Sequence, residues 1–234
     1  MVITDVKTFV VYCYRTNFVF VKVYTDEGLT GVGEGTLEYK EYALTGAIDH
    51  LRDFLIGKDP LRIEWLTHEM YRNSYWRVGP VMMAAVSTIE MALWDILGKY
   101  LNQPVYQLLG GKVRDGIKMY ANGWFAGAKK PDEFAKKAAE AASKGIKALK
   151  WDPFGTAYMH LSDKDLDASM ECVKAVREAV GPEMELLIEC HGRLDTSSAI
   201  RVTHALEPYR PMWFEEPVPP DNMSALAEVR QKSP

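Results

Sequence analysis

The 234-residue chain is 47% hydrophobic and 26% charged, the composition of a soluble globular protein with one large domain or two ordinary ones. Its formal net charge of −4, with no Lys/Arg block, excludes electrostatic attraction to nucleic acid or to an anionic membrane, and we expect neither as a partner. Three scattered cysteines, no signal peptide and no apolar run near the roughly 20 residues of a membrane span predict a cytoplasmic protein.

The first 36 residues alternate between apolar and polar in the manner of strands. We predict an antiparallel meander with strands at residues 6–14, 18–24 and 29–34. Three glycines, Gly31, Gly33 and Gly35, suggest a nucleotide-binding loop at first sight. They lack the strand-to-helix context of such a loop, so we predict a tight corner of the meander instead.

Residues 40–110 have the periodicity of helices. The pattern predicts helices at 47–55, 63–71 and 81–101, and the third is apolar almost all round, which is typical of a deeply buried helix. The short Gly- and Pro-containing step that ends at Asp115 is the natural domain boundary. We therefore predict an α+β domain over residues 1–115 and a second domain over residues 116–234.

The second domain has a regular rhythm of strands and helices. Predicted strands cover 117–120, 146–151, 185–189 and 212–214, and predicted helices cover 131–144, 164–180, 197–206 and 223–229. Four consecutive βα units predict parallel strands joined by crossover helices. Because a closed barrel needs eight strands, the domain is either an open doubly wound sheet or a barrel cut in half.

Polar side chains follow each predicted strand of the second domain. The runs Leu186–His191 and Met212–Pro217 each lead from apolar residues into a carboxylate, as at the carboxyl end of a strand that is buried on both faces. Carboxylates from neighbouring strands suit a hard cation such as Mg²⁺. Strand-end polar residues are Asn122, Lys150, Asp152, Glu189, His191, Glu215 and Glu216.

Five motifs in combination resemble the enolase superfamily, mandelate racemase subgroup. They are Ala92 to Asp95, Pro104 to Gly111, Lys150-Trp151-Asp152, Ile188 to Arg193 and Phe214 to Pro217. The resemblance implies an α+β capping domain followed by a modified (β/α)₇β barrel, a TIM-barrel variant of which only the first four βα units are present here. It implies Mg²⁺ held by carboxylates from three successive barrel strands.

Matched residue by residue, Glu189 is the first expected metal ligand and Glu215 the second, with a one-residue ambiguity between Glu215 and Glu216. The third ligand and the general base are expected beyond Pro234. Racemases of the subgroup have a Lys-x-Lys motif where this chain has Lys150-Trp151-Asp152, so the usual lysine base is absent. Lys150 is expected to act electrostatically beside the substrate carboxylate.

His191 resembles the acid of the family's acid-sugar dehydratases, which protonates the departing β-hydroxyl. A histidine after a strand is otherwise most often a structural hydrogen bonder. We therefore predict a Mg²⁺-dependent dehydratase that forms an enediolate by α-proton abstraction and gives a 2-keto-3-deoxy acid. The alternatives are a racemase or epimerase of the same subgroup, and an inactive truncated chain that only associates with another chain.

Four residues are candidates for substrate contact. Asp152 begins the turn sequence Asp-Pro-Phe-Gly, so a structural role and a substrate-facing role are both open. Arg15 and Asn17 occupy the loop that covers the barrel mouth in this family. Trp76 lies in a polar and aromatic stretch suited to a sugar, although aromatic packing explains it equally well. The resemblance implies a small sugar acid as substrate, whose identity the sequence does not determine, and a homo-oligomer.

Overall fold

The structure is a computed structural model that describes residues 1–13, 16–73, 75–77 and 79–234. It consists of two units, Met1–Asp115 and Gly116–Pro234. The first unit contains, in chain order, β1 (Ile3–Cys13), β2 (Thr16–Thr25), β3 (Thr30–Glu34), α1 (Glu41–Leu55), α2 (Ile63–Arg72), α3 (Pro80–Leu101) and the short α4 (Val105–Leu108). Its sheet has the order β1-β2-β3 with antiparallel pairing throughout, which confirms the predicted meander.

The glycines of β3 have a different role from the predicted tight corner, so that prediction was wrong. Gly31 and Gly33 lie within the strand, directly against α3. A Cβ added to Gly33 would lie 2.0 Å from the carbonyl oxygen of Thr88, and one added to Gly31 would lie 1.9 Å from that of Ala92. The glycines therefore allow the backbones of β3 and α3 to approach closely.

The outer edge of β3 is hydrogen-bonded by side chains of α3. Asp95 Oδ2 accepts the backbone N–H of Val32 at 2.9 Å, and Lys99 Nζ donates to the carbonyl oxygen of Thr30 at 2.7 Å. Lys99 and Asp95 also form an ion pair at 2.7 Å. Asp95, one of the residues in the family motifs, therefore has a structural role in this unit.

Helix α3 supplies much of the first core. Among its residues, Ile89, Leu93 and Ile96 are fully buried. In the described part of the chain, α3 alone is long and apolar enough to cross a membrane by length and composition, a test that the core helices of soluble proteins also pass. The expectation that no apolar run approaches this length was therefore wrong for α3.

The second unit contains a parallel sheet with helices packed against it. Its elements are α5 (Pro131–Ser143), β4 (Ala148–Trp151), α6 (Asp163–Val180), β5 (Glu185–Glu189), α7 (Thr196–Leu206) with a 3₁₀ turn at Glu207–Tyr209, β6 (Trp213–Glu215) and α8 (Met223–Lys232). The strand order is β4-β5-β6 and both pairings are parallel, as predicted. Fully buried side chains of β5, α6 and α7, such as Leu186, Val173 and Val202, form the core.

The predicted strand at 117–120 is not formed. Ala121 makes one parallel bridge to Leu149, and residues 117–120 form no ladder. A strand requires successive hydrogen-bonded pairs, and here only Ala121 is bonded, to Ala148 and Lys150. Three regular strands thus replace the four that were predicted.

Strand β6 differs from β5 in its burial. Leu186, Leu187 and Ile188 of β5 are at most 1% exposed, as expected for a strand covered on both faces. In contrast, Trp213 of β6 is 36% exposed. Within the described residues β6 pairs with β5 alone, so the prediction of a strand buried on both faces was right for β5 and wrong for β6.

Candidate active site

Three side chains from adjacent strands meet at the carboxyl edge of the parallel sheet. Lys150 lies in β4, Glu189 ends β5 and Glu215 ends β6. Glu189 and Glu215 are register partners, so the pairing of β5 with β6 places the two carboxylates side by side. This is the edge at which parallel α/β proteins place their ligands.

Lys150 joins the two carboxylates. Its ammonium nitrogen lies 2.6 Å from Glu189 Oε2 and 2.9 Å from Glu215 Oε1. The side chains of Lys150 and Glu189 are only 11% and 7% exposed, whereas that of Glu215 is 35% exposed. The second oxygen of Glu215, Oε2, accepts a hydrogen bond from Trp213 Nε1 at 3.0 Å. The two acidic groups therefore converge on one positively charged centre.

The other oxygen of Glu189 is held by the backbone that follows β5. Glu189 Oε1 accepts the N–H groups of Cys190 at 3.0 Å and His191 at 2.8 Å. His191 has φ = 54°, a left-handed conformation that is costly for a side chain other than glycine. The turn is also bonded to the end of β6, since Gly192 N donates to the carbonyl oxygen of Glu216 at 2.7 Å.

The electrostatics of this cluster favour charged carboxylate and ammonium groups. Burial raises the pKa of Glu189, but the hydrogen bonds from Lys150 and from the His191 N–H outweigh burial, so the pKa lies below its usual value. Burial likewise lowers the pKa of Lys150, and its bonds to Glu189 and Glu215 outweigh that effect, so the pKa is raised. The cluster is thus two carboxylates that share one ammonium.

A second cluster lies beside the first and is centred on Asp152. Asp152 Oδ2 contacts His191 Nδ1 at 2.8 Å and Arg193 Nη2 at 2.5 Å, and Oδ1 accepts the N–H of Phe154 at 2.9 Å. The side chain of Asp152 is 17% exposed and that of His191 is 51% exposed. The His191 side chain is therefore half exposed while its Nδ1 is held by a carboxylate.

The donor set fits part of a divalent cation site. Two oxygens, Glu189 Oε2 and Glu215 Oε1, lie within 2.9 Å of the single position that the Lys150 ammonium fills. Carboxylate oxygens are the donors that Mg²⁺ prefers. No group of three or more His, Cys, Asp or Glu residues suited to a metal is found among the described residues, so these two carboxylates would supply only part of the coordination.

The predicted site residues divide between the two units. The second unit brings together Lys150, Asp152, Glu189, His191 and Glu215. Asn17 and Trp76 belong to the first unit, and Arg15 lies outside the described residues.

The first-unit residues have partners of their own. Asn17 Nδ2 donates to Glu41 Oε1 at 3.1 Å, and Trp76 packs edge to face on Tyr75. One residue of the site, Arg193, was missed by sequence reasoning. The sequence could have indicated Arg193, because it is a permanently charged side chain two positions after His191 in the same strand-end motif.

Cys190 lies between two site residues in sequence, but its side chain is in the core of the second unit and should be chemically inert. It is fully buried, and burial raises the pKa of its thiol to about 11. At pH 8 only about one thiol in a thousand would be ionised at that pKa. We expect Ellman's reagent to modify Cys190 more slowly than the partly exposed Cys13 and Cys172. The control is Cys190→Ser, in which the amount of fast-reacting thiol, from Cys13 and Cys172, should not change. A loss of fast-reacting thiol in that variant would contradict the prediction.

Comparisons with known proteins agree with the motifs. Residues 4–110 match the family model "Mandelate racemase / muconate lactonizing enzyme, N-terminal domain", and residues 133–234 match "Enolase C-terminal domain-like". The chain is 37% identical over 213 residues to D-gluconate dehydratase of Thermoproteus tenax, covering 91% of this chain and 43% of that protein. It is 40% identical over 223 residues to D-galactonate dehydratase of Pectobacterium atrosepticum, covering 93% and 56%.

A solved structure of a member of the enolase superfamily from Salmonella Typhimurium superposes with a TM-score of 0.93 at 34% identity, covering 99% of this chain and 65% of that one. The chain spans about half the length of the curated relatives it matches, at 43% and 56%. Similarity therefore extends over nearly all of this chain and over only part of each relative.

Proposed function

This chain belongs to the mandelate racemase/muconate lactonizing enzyme family of the enolase superfamily, and from that premise we propose that it forms part of a Mg²⁺-dependent dehydratase of a sugar acid. The observation that carries the proposal is the convergence of Glu189 and Glu215 on one cationic position, with His191 two residues after Glu189. The two curated relatives described above are named as dehydratases of gluconate and galactonate.

We also propose that the three parallel strands and the bridge at Ala121 are the beginning of a modified (β/α)₇β barrel. The proposal is supported by the parallel order β4-β5-β6, by the exposure of β6 and by the greater length of the relatives. The third metal ligand and the general base would then come from later strands. A homo-oligomer stays a prediction.

In the proposed reaction the residues of this chain have separate roles. Glu189 and Glu215 would hold Mg²⁺, which when bound supplies positive charge that acidifies the proton α to the substrate carboxylate. Lys150, whose ammonium lies between the two carboxylates in this structure, would move aside for the metal and supply a second positive charge beside the substrate carboxylate. After a base removes the α-proton, His191 would give its proton to the β-hydroxyl. The C–O bond breaks, water leaves, and the enol becomes a 2-keto-3-deoxy acid.

The test is a screen of sugar acids with Mg²⁺ and a protein that contains this chain together with the later barrel strands proposed above, with the 2-keto-3-deoxy product as readout. The variant His191→Asn is expected to lower dehydration by about 10²- to 10⁴-fold, because the departing hydroxyl loses its acid. Exchange of the substrate α-proton with D₂O should persist in this variant, because the base is a different residue. Loss of exchange together with loss of dehydration would contradict the role of acid.

A matched control is His160→Asn. His160 is in the same unit, its side chain is 74% exposed, and its nearest carboxylate, Asp195, is 3.9 Å away. This variant should dehydrate the substrate at the rate of the unsubstituted protein. If neither the unsubstituted protein nor the His160→Asn variant converts any sugar acid to product, the proposed function is wrong.

A further inference from the structure

Asp152 uses both of its carboxylate oxygens within the protein. Oδ1 is bonded to the backbone N–H of Phe154, and Oδ2 is shared by His191 Nδ1 and Arg193 Nη2. An aspartate with three protein donors has little capacity left for a substrate hydroxyl. This geometry differs from the substrate contact that the sequence suggests for Asp152.

The contact with His191 determines which ring nitrogen carries the proton. An ionised carboxylate can only accept hydrogen bonds, so Nδ1 of His191 must be the donor. In the neutral ring the lone pair is then on Nε2, and in the charged ring both nitrogens carry a proton. Among the described residues the ring is hydrogen-bonded through Nδ1, and the side chain is 51% exposed.

Hydrogen bonds hold the backbone of the turn at His191 in place. Its left-handed φ of 54° is maintained by the bond from its own N–H to Glu189 Oε1 and by the bond from Gly192 N to the end of β6. Arg193 is fixed in turn by bonds to the carbonyl oxygens of Cys190 at 3.0 Å and Gly155 at 2.8 Å. The acceptor Asp152 and the donors His191 and Arg193 are therefore held on two separate segments, the turn after β4 and the turn after β5.

We infer that Asp152 is a positioning residue that holds a proton of His191 on Nδ1, so that Nε2 is the ring nitrogen that gives up a proton when the charged ring acts as the acid. The role in proton delivery rests on the proposed function. The tautomer itself does not, because it follows from the hydrogen bond alone. When Nε2 releases its proton to the departing hydroxyl, its electron pair stays on Nε2 and the Nδ1 proton stays in place.

The first test reads the tautomer directly in this chain. Multiple-bond ¹H–¹⁵N spectra at alkaline pH, where imidazoles are neutral, should show His191 as the Nδ1–H form; the signal is identified by its absence in His191→Asn. In Asp152→Ala, Nδ1 has no acceptor at position 152, so the two ¹⁵N resonances should move towards the Nε2–H pattern. An unchanged tautomer in Asp152→Ala, in a variant that remains folded, overturns the inference.

Two control variants test whether the His191 tautomer depends on Asp152 itself or on the loss of any charge in this unit. Asp195→Asn removes a carboxylate of the same unit that caps α7 and keeps an oxygen for the cap, so the His191 tautomer should not change. Arg193→Gln removes the other side-chain partner of Asp152 and should also leave the tautomer unchanged. A tautomer change in Asp195→Asn would show a general charge effect and overturn the inference.

The second test uses the protein with the later barrel strands proposed above and a sugar acid found in the screen. Asp152→Asn is expected to lower kcat by about 10²-fold, while KM changes by less than about threefold, since positioning of the acid affects the transition state more than binding. An equal rise in KM with kcat unchanged would show substrate binding by Asp152 and overturn the inference. If the NMR result holds and no sugar acid is turned over, the proposed function fails and the positioning role stands.

Discussion

Replacing Lys150 with Met is expected to lower the free energy of unfolding by about 3–5 kcal/mol, the cost of removing one partner from a buried ion pair. The Glu189 side chain is 7% exposed and would lose the ammonium 2.6 Å from its Oε2. Glu215 would lose the same partner and would repel Glu189, its neighbour on the adjacent strand. Met fills nearly the same volume as the lysine stem, so the loss measures charge rather than packing. Urea unfolding in EDTA is the measurement.

The matched control for this variant is Lys118→Met. Lys118 pairs with Glu185, at the opposite end of β5, but its side chain is 63% exposed. Its partner Glu185 is 31% exposed, and a pair whose lysine is this exposed should contribute about 1 kcal/mol. The double variant Lys150→Met, Glu189→Gln should recover part of the stability, because the uncompensated charge is gone. Equal losses from Lys150→Met and Lys118→Met would contradict the burial argument.

The variant Gly33→Ala is expected to destabilise the first unit by about 3 kcal/mol or more, because overpacking against rigid backbone leaves no side chain to move aside. The new Cβ would lie 2.0 Å from the carbonyl oxygen of Thr88 and 3.2 Å from the backbone nitrogen of Ala92. Helix α3 would have to move away from β3, and the hydrogen bond from Val32 to Asp95 would lengthen. Thermal and urea unfolding both measure the loss.

The control is Gly46→Ala in α1. An added Cβ there meets nothing within 4 Å, and the residue lies in the interior of a helix. Alanine is favoured over glycine in a helix by about 0.8–1.0 kcal/mol, so this variant should be slightly more stable. Replacing glycine with alanine in the same unit is thus expected to lower stability at position 33 and to raise it slightly at position 46. A stable Gly33→Ala would show that α3 does not press on β3 as described.

Sequence patterns predicted most of the fold because the periodicity of buried side chains sets the type of each element. Leu186 to Ile188 is a short apolar run that favours a covered strand, and β5 occupies the predicted residues 185–189. The prediction failed at residues 117–120, since a strand also needs a hydrogen-bonding neighbour. That neighbour is a property of the tertiary structure and leaves no local signal.

The candidate site was predictable in part for a similar reason. Glu189, Glu215 and Lys150 were indicated by their places at strand ends, which bring distant residues together in any parallel sheet. Their shared ion pair was not predictable, because it depends on side-chain conformations. Nor was the contact between Asp152 and His191, which lie 39 residues apart and meet through turns rather than through the register of the sheet.

The hydrogen bonds from Asp95 and Lys99 occupy the outer edge of β3. A further strand should therefore add more readily to the other edge of this antiparallel sheet. An additional strand from any other chain would compete with the Asp95 carboxylate for the Val32 N–H and with Lys99 for the Thr30 carbonyl. Within the described residues, β1 is the other edge of this sheet. Sheet-mediated aggregation of this unit should therefore start at β1, and substitutions that discourage it belong there.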